Sequence, residues 1–262
     1  MHAPHPTFQG QFALIIPACD EEACIGQVLD EISVVLDPEK FVVVVGVNGS
    51  SDNTVELARA RGVLVAETDE RGYGYGCQSA IDLVGEILPS VRAYIFLAAD
   101  GASDPRDVAN LVAAYEQGYT FVLGARTGQM SNWRTMRFSH VIANFAVALW
   151  CGVLAGRWFQ DLAPVRLIDR KLFETIAPRE MKFGWTIEPQ IAAARLGAAI
   201  IEVPARERPR LAGQQKVSGV TWRRTFLIGC RILAAGFRAR MRFRRARNVE
   251  CASQKELVTE KG

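Results

Sequence analysis

Five short apolar runs, each ending in a polar or glycine-bearing turn and separated by helical stretches, dominate the first half of this chain. They are Phe12 to Ile16, Phe41 to Val47, Val63 to Glu67, Tyr94 to Leu97 and Phe121 to Gly124. Between the first two, Ile25, Val28, Leu29, Ile32 and Val35 recur at helical spacing over Glu21 to Leu36. Thr54 to Arg61, Gly74 to Leu88 and about Asp104 to Gln117 read as further helices. Strands alternating with helices predict an α/β chain with a doubly wound, mostly parallel sheet and right-handed crossovers. Pro17 is expected to end the first strand. With 262 residues the chain can bury a sizeable core. Open sheets of this kind bind ligands outside the carboxyl ends of their strands, so function is expected in the turns after the apolar runs.

The second half is less regular. Residues 127–137 read as a mobile polar loop, 138–158 as a long apolar helix and Ile187 to Leu196 as another. The formal net charge is +3, but residues 220–249 hold nine arginines and no acid. An anionic partner is therefore expected at the C-terminal end. The expected parse is a flexible leader over 1–10, a catalytic unit over 11–219, a basic amphipathic helical segment over 220–247 and a disordered tail over 248–262. Three histidines make a histidine-based metal centre a poor reading, and six cysteines without a CxxC pair point to a reduced setting. The longest apolar stretches are interrupted by Asn144 and Arg157, or by Arg231, and fall short of the ~20 residues that span a bilayer.

Four turns carry candidate chemistry: Pro17-Ala18-Cys19-Asp20-Glu21-Glu22, Asn48-Gly49-Ser50-Ser51-Asp52, Arg71-Gly72-Tyr73-Gly74 and Ala98-Ala99-Asp100-Gly101. Each taken alone also reads as a turn or helix cap. A carboxylate such as Asp100 at a strand end can help hold a divalent metal against a diphosphate, and two carboxylates do so much better.

Taken in order, these turns resemble those of the family 2 glycosyltransferases, in the branch with dolichyl- and polyprenyl-phosphate glycosyltransferases. Asp104-Pro105, Leu123-Gly124-Ala125-Arg126, Asp161-Leu162-Ala163-Pro164-Val165-Arg166, Gly184-Trp185 with Glu188, Glu202-Val203-Pro204 and Lys216-Val217-Ser218-Gly219 continue the series. The resemblance runs from about Phe12 to Gly219. It implies a GT-A-type fold with a basic helical appendage, and an inverting hexosyltransferase acting on a membrane-associated acceptor, preferably a polyprenyl phosphate. The implied donor is a UDP- or GDP-hexose, bordered by Pro17, Ala18, Glu21, Asn48, Asp52, Gly72, Gly74 and Asp100. Asp100, with Asp104 nearby, is the implied contact of a Mg²⁺ or Mn²⁺ ion. Asp161 and Glu188 are implied on the acceptor side, with Asp161 as base or sugar-hydroxyl ligand. Arg126, Arg134, Arg137, Arg206, Arg208 and Lys216 are implied candidates for holding the acceptor or leaving phosphate.

Two positions depart from the family pattern. Ala98 stands where the first acid of an Asp-x-Asp pair is usual, and Val47 stands where an acid usually precedes Asn-Gly-Ser. Loss of a metal-supporting carboxylate can lower metal affinity or activity ~10- to 100-fold. The alternative reading is a nucleotide-sugar-binding pseudoenzyme. In the tail, arginines interleave with Trp222, Phe226, Ile232, Phe237 and Phe243. That composition suits a peripheral helix on an anionic membrane at the cytoplasmic face, or a helix packed on the catalytic unit. Nucleic acid is not an expected partner, because no reading motif accompanies the charge.

Overall fold

The computed structural model describes residues 11–127, 132, 138–212 and 228–243. Seven strands form one sheet: β1 (Phe12–Ala18), β2 (Phe41–Asn48), β3 (Leu64–Thr68), β4 (Ala93–Phe96), β5 (Phe121–Ala125), β6 (Arg166–Asp169) and β7 (Ile200–Pro204), in the order β3-β2-β1-β4-β6-β5-β7. Helices α1 (Glu22–Val35), α2 (Thr54–Arg59), α3 (Tyr73–Ile87), α4 (Val108–Glu116), α5 (Phe138–Ala155), α6 (Arg170–Ile176) and α7 (Ile187–Arg195) connect them. An eighth, α8, covers residues 228–243. The α/β, mostly parallel architecture is the expected one.

Alternation along each strand builds a core on both faces. Leu14, Ile16 and Ile95 pack with Ile25, Leu29 and Leu111 of α1 and α4. Ala13, Ile15 and Phe96 turn the other way, toward Ala80 and Val84 of α3 and Ile187 and Ile191 of α7. Burial on both faces is what near-continuous apolar strands require.

Two features differ from the sequence reading. First, β1 continues through Pro17, which pairs with Gly46 of β2. In a parallel ladder alternate residues face opposite neighbours. The Ile15 carbonyl faces the β4 side, where it accepts from Leu97 N–H. Pro17 therefore turns its missing donor to that same side, where the β4 pairing has run out at Phe96. Proline is tolerated where no ladder bond is lost. Second, β6 inserts antiparallel between β4 and β5, pairing Tyr94 with Ile168 and Phe121 with Ile168. The chain therefore returns to the middle of the sheet after α5, and residues 161–165 lie at the same sheet end as Ala18, Asn48 and Ala125.

The C-terminal segment packs on the fold and also faces solvent. Ala235, Ala239 and Phe243 are buried, with Gly236 beside Leu154 and Ile191, whereas Leu233, Phe237 and Met241 are exposed. Small residues at i and i+4 let α8 approach α5 and α7 closely.

Candidate active site

The first two loops are laced together by their own polar groups. Asp20 adopts a left-handed φ of 49°, which points its carboxylate at the second loop. It accepts from Ser51 N–H at 2.7 Å, and Asp20 N–H donates to Ser50 Oγ at 2.9 Å. Glu21 N–H donates to Thr54 Oγ1 at 2.9 Å. Asp52 accepts from Glu22 N–H and Thr54 N–H, each at 3.1 Å. These bonds hold the two loops as one unit at the ends of β1 and β2. Pro17, Ala18 and Asn48 are buried beneath it.

Gly72 and Gly74 serve a packing need. Gly74 N–H donates to Met181 O at 2.9 Å. A Cβ on Gly74 would lie 2.7 Å from both Met181 Cα and Trp185 Cε3, and one on Gly72 would lie 2.7 Å from Met181 O. The two glycines bring α3 against the 181–185 segment.

The segment 206–212 runs across the Asp100 turn and is bonded to it along its length. Arg208 N–H donates to Ala102 O at 2.7 Å and Leu211 N–H to Asp100 O at 3.1 Å. Ser103 and Glu207 form a bridge, and Arg208 pairs with Glu31 at 2.8 Å. From this segment Arg210 places Nη1 3.0 Å from Asp100 Oδ2 and Nη2 3.2 Å from Glu21 Oε1. Asp104 is buried, held by Arg106 Nη2 at 2.6 Å and Arg206 Nη1 at 3.2 Å. Burial works to raise its pKa, but these bonds outweigh it and lower the carboxyl to about 2. Arg206 also donates its N–H to Asp107 at 2.6 Å.

Across the site, Asp161 is fully buried before β6 and both its oxygens are occupied. Arg126 Nε and Nη2 donate to Oδ2 and Oδ1 at 2.9 Å each, Arg126 N–H donates to Oδ2 at 2.8 Å, and Ala163 N–H donates to Oδ1 at 3.2 Å. Desolvation alone would raise the Asp161 pKa, but the bidentate guanidinium holds it below the ordinary carboxylate value. Arg126 Nη1 also reaches Glu207 at 3.4 Å. Burial pushes the Glu207 pKa up against Arg126, and the charges of Asp100 and Asp161 add to the rise. Asn132 ties the arrangement together, donating to Arg126 O and Ala205 O and accepting from Glu207 N–H.

The ends of β1, β2, β4 and β5 thus converge on two carboxylate–arginine clusters, Asp100 with Arg210 and Asp161 with Arg126. The glycosyl transferase family 2 profile matches residues 13–175, from the start of β1 into α6. The chain belongs to glycosyl transferase family 2. This glycosyltransferase is 29% identical over 78% of its length to the dolichyl-phosphate hexose transferase of Haloferax volcanii, the match covering 86% of that protein. It is 25% identical over 56% of its length to the undecaprenyl-phosphate mannosyltransferase of Micrococcus luteus, covering 58% of it. Its fold superposes with a TM-score of 0.66 on glucosyl-3-phosphoglycerate synthase of Mycobacterium tuberculosis, solved with Mn²⁺, UDP and glucosyl-3-phosphoglycerate, at 21% identity over 88% of this chain and 80% of that one. The fold is of the GT-A type.

In the glycosyltransferase the residues singled out from sequence separate into groups. Glu21 and Asp100 share the Arg210 guanidinium, with Asn48 and Asp52 beneath or beside them. Asp161 and Arg126 form a buried pair, with both Asp161 oxygens accepting from Arg126 and one also from Ala163 N–H. Glu188 accepts from Arg179 N–H at 2.8 Å, from Glu180 N–H at 2.9 Å and from Arg242 of α8 at 2.9 Å, and so anchors the appendage. Arg206 and Arg208 are engaged with Asp104, Asp107 and Glu31 as described. Arg134, Arg137 and Lys216 lie outside the described residues, as do the expected leader, the 248–262 tail and most of the 127–137 loop. Arg210 and Glu207 belong to the site as well, and their sequence signal is a place in the charged run Arg206-Glu207-Arg208-Pro209-Arg210.

Proposed function

We propose that this glycosyltransferase moves a hexose, with inversion, from a UDP- or GDP-sugar to a polyprenyl phosphate at the cytoplasmic face of a membrane. The observation that carries the lipid acceptor is a pair of exposed apolar stripes on neighbouring helices. Phe145, Leu149 and Val153 repeat every fourth residue along α5, and Leu233, Phe237 and Met241 do so along α8. Phe145 is 50% exposed, Phe237 53% and Trp158 56%. Phe145 and Trp158 meet edge to face at 6.0 Å. The helices touch, since Arg240 Nη1 donates to Val153 O at 3.2 Å. Contiguous exposed apolar side chains mark an interaction surface, and flanking arginines suit the anionic cytoplasmic leaflet. No helix among the described residues is long and apolar enough to cross a membrane.

The stripes lead to the acceptor side of the site. Asn144, the residue before Phe145, accepts from Leu162 N–H at 3.3 Å, one residue from Asp161. A lipid phosphate arriving there needs little general-base help, because its oxygen is already nucleophilic. That oxygen forms the new bond to the anomeric carbon while the bond from that carbon to the diphosphate breaks opposite it, which inverts the centre and releases a nucleoside diphosphate. Arg126, held by Asp161, supplies positive charge on the acceptor side. For the expected Mg²⁺ or Mn²⁺ the donor set is poor. Asp100 contributes one carboxylate, Ala98 contributes a methyl, and no cluster of three or more His, Cys, Asp or Glu fit to hold an ion occurs among the described residues.

The test is transfer from radiolabelled UDP- and GDP-hexoses to polyprenyl phosphate in anionic vesicles. The expected product is a lipid-linked sugar labile to mild acid. Replacing Leu149 and Phe237 together by serine is expected to abolish vesicle flotation and lipid transfer without altering nucleotide binding. Transfer to soluble glycans but never to the lipid would refute the acceptor.

A further inference from the structure

Resting on the donor reading above, we propose that Arg210 is the resident cation of the diphosphate site, and that nucleoside diphosphate binding to this chain does not require a divalent ion. Asp100 at the end of β4 is bonded on one oxygen by Ala102 N–H at 3.0 Å and on the other by Arg210 Nη1 at 3.0 Å. A guanidinium thus already does for Asp100 what a metal ion would do. The second carboxylate that would share an ion is missing at Ala98. The neighbouring acids are also committed to arginines: Asp104 to Arg106 and Arg206, Asp107 to Arg206, Glu207 to Arg126. A divalent ion at Asp100 would sit against a guanidinium already 3.0 Å from that carboxylate, with no second acid at position 98 to share it.

Arg210 is also built into the site. Its neighbour Leu211 donates N–H to Asp100 O and lays its side chain on Gly101, where a Cβ would come within 2.5 Å of it. Gly101 has a φ of 73°, which glycine adopts without strain. Ala212 O accepts from Cys24 Sγ at 3.4 Å, which closes the segment onto α1. These contacts aim Arg210 between the first loop and the Asp100 turn.

The chemistry fits a diphosphate. A guanidinium stays protonated at every physiological pH and offers five N–H donors in a planar fork that matches phosphate oxygens. Arg210 directs one terminal nitrogen to Asp100 and the other to Glu21, two carboxylates for one cation. An arriving diphosphate takes over part of this fork by exchanging one anion for another, and the segment need not move. Arg71 stands beside the same loops, its Cγ within 2.8 Å of where a Gly49 Cβ would be and its Nη2 4.0 Å from Asp20 Oδ2, a second guanidinium that already faces a carboxylate.

The experiment is calorimetric titration of UDP and of GDP into the full chain, in EDTA and in Mn²⁺, for the parent, Arg210→Gln, Arg210→Lys and Ala98→Asp. The parent is expected to bind one nucleotide in EDTA, with a Kd within about threefold of that in Mn²⁺. Arg210→Gln is expected to weaken binding in EDTA by ~10-fold or more, with Arg210→Lys between the two, as loss of charge-assisted bonds to phosphate requires. Ala98→Asp is expected to gain a Mn²⁺ dependence the parent lacks. Binding by the parent only in Mn²⁺ overturns the role of Arg210 and leaves the donor reading intact, as does undiminished binding by Arg210→Gln. Failure of both nucleotides to bind under either condition overturns the donor reading and this inference with it. Should Arg210→Gln not fold, the parent in EDTA and Arg210→Lys still decide.

Discussion

Replacing Asp161 by asparagine tests whether this carboxylate holds Arg126 or performs chemistry itself. Asp161 accepts four hydrogen bonds, three of them from Arg126. The introduced amide would keep one acceptor and present a donor to the guanidinium donors. Arg126, only 15% exposed, would keep its charge with Glu207 at 3.4 Å as its remaining carboxylate. Breaking a buried ion pair from one side costs about 3–5 kcal/mol. That is a large share of the ~5–15 kcal/mol that holds a domain together. At ~2–4 °C per kcal/mol, the calorimetric midpoint should fall by roughly 10 °C. Removing all three charges, in Arg126→Met with Asp161→Leu and Glu207→Gln, should recover much of the loss, because no unpaired charge stays buried, whereas the pair without Glu207→Gln would strand that carboxylate. The penalty also has a sign in pH. The Asp161 pKa is lowered in the fold, so its contribution is complete above the ordinary value of 3.8 and is lost as pH falls through the folded value. Parent and Asp161→Asn midpoints should therefore converge in acid. If Asp161→Asn melts within ~1 kcal/mol of the parent at pH 7 yet loses all transfer, Asp161 acts on substrate and does not serve to hold Arg126.

Three further outcomes follow from backbone and packing. Ala163 is buried at a φ of 38°, so Ala163→Gly should relieve strain and raise stability by about 0.5–1 kcal/mol after the entropy of the added glycine; a lowered urea midpoint would contradict this. Two glycines of α3 should respond in opposite directions. Gly74→Ala meets Met181 and Trp185 at 2.7 Å and should cost ~1–3 kcal/mol, whereas Gly85→Ala meets nothing within 4 Å and should gain about 0.5–1 kcal/mol by helix propensity, both read by thermal melts. Asp104, lowered from 3.8 to about 2, contributes stability above pH 3.8 that disappears as pH falls toward 2. Acid unfolding of Asp104→Asn should lose that part of its pH dependence, and an unchanged acid profile would count against the Arg106 and Arg206 pairing.

Much of the site was legible because it is local. Asp20, Glu21, Asn48, Asp52 and Asp100 each follow an apolar run, and in a parallel sheet the carboxyl ends of such runs converge whatever the strand order. The roles of the glycines were less legible. Gly72 and Gly74 have the spacing of a ligand-facing turn, and the same spacing suits the close approach of residues 181–185, a neighbour that only the tertiary structure reveals. Likewise Asp161 reads as an available acid until Arg126, 35 positions earlier, is found on both its oxygens.

The sequence by itself determined the alternating layers, the end of the sheet where chemistry gathers, and the loss of a carboxylate at Ala98, because period, strand polarity and side-chain identity are properties of short stretches. The tertiary structure decided which charges meet. It set β6 antiparallel between β4 and β5, laid 206–212 across the Asp100 turn, and so matched Asp161 to Arg126 and Asp100 to Arg210. Such pairings depend on distances between residues far apart in the chain, which strand order and packing set and which no local pattern encodes.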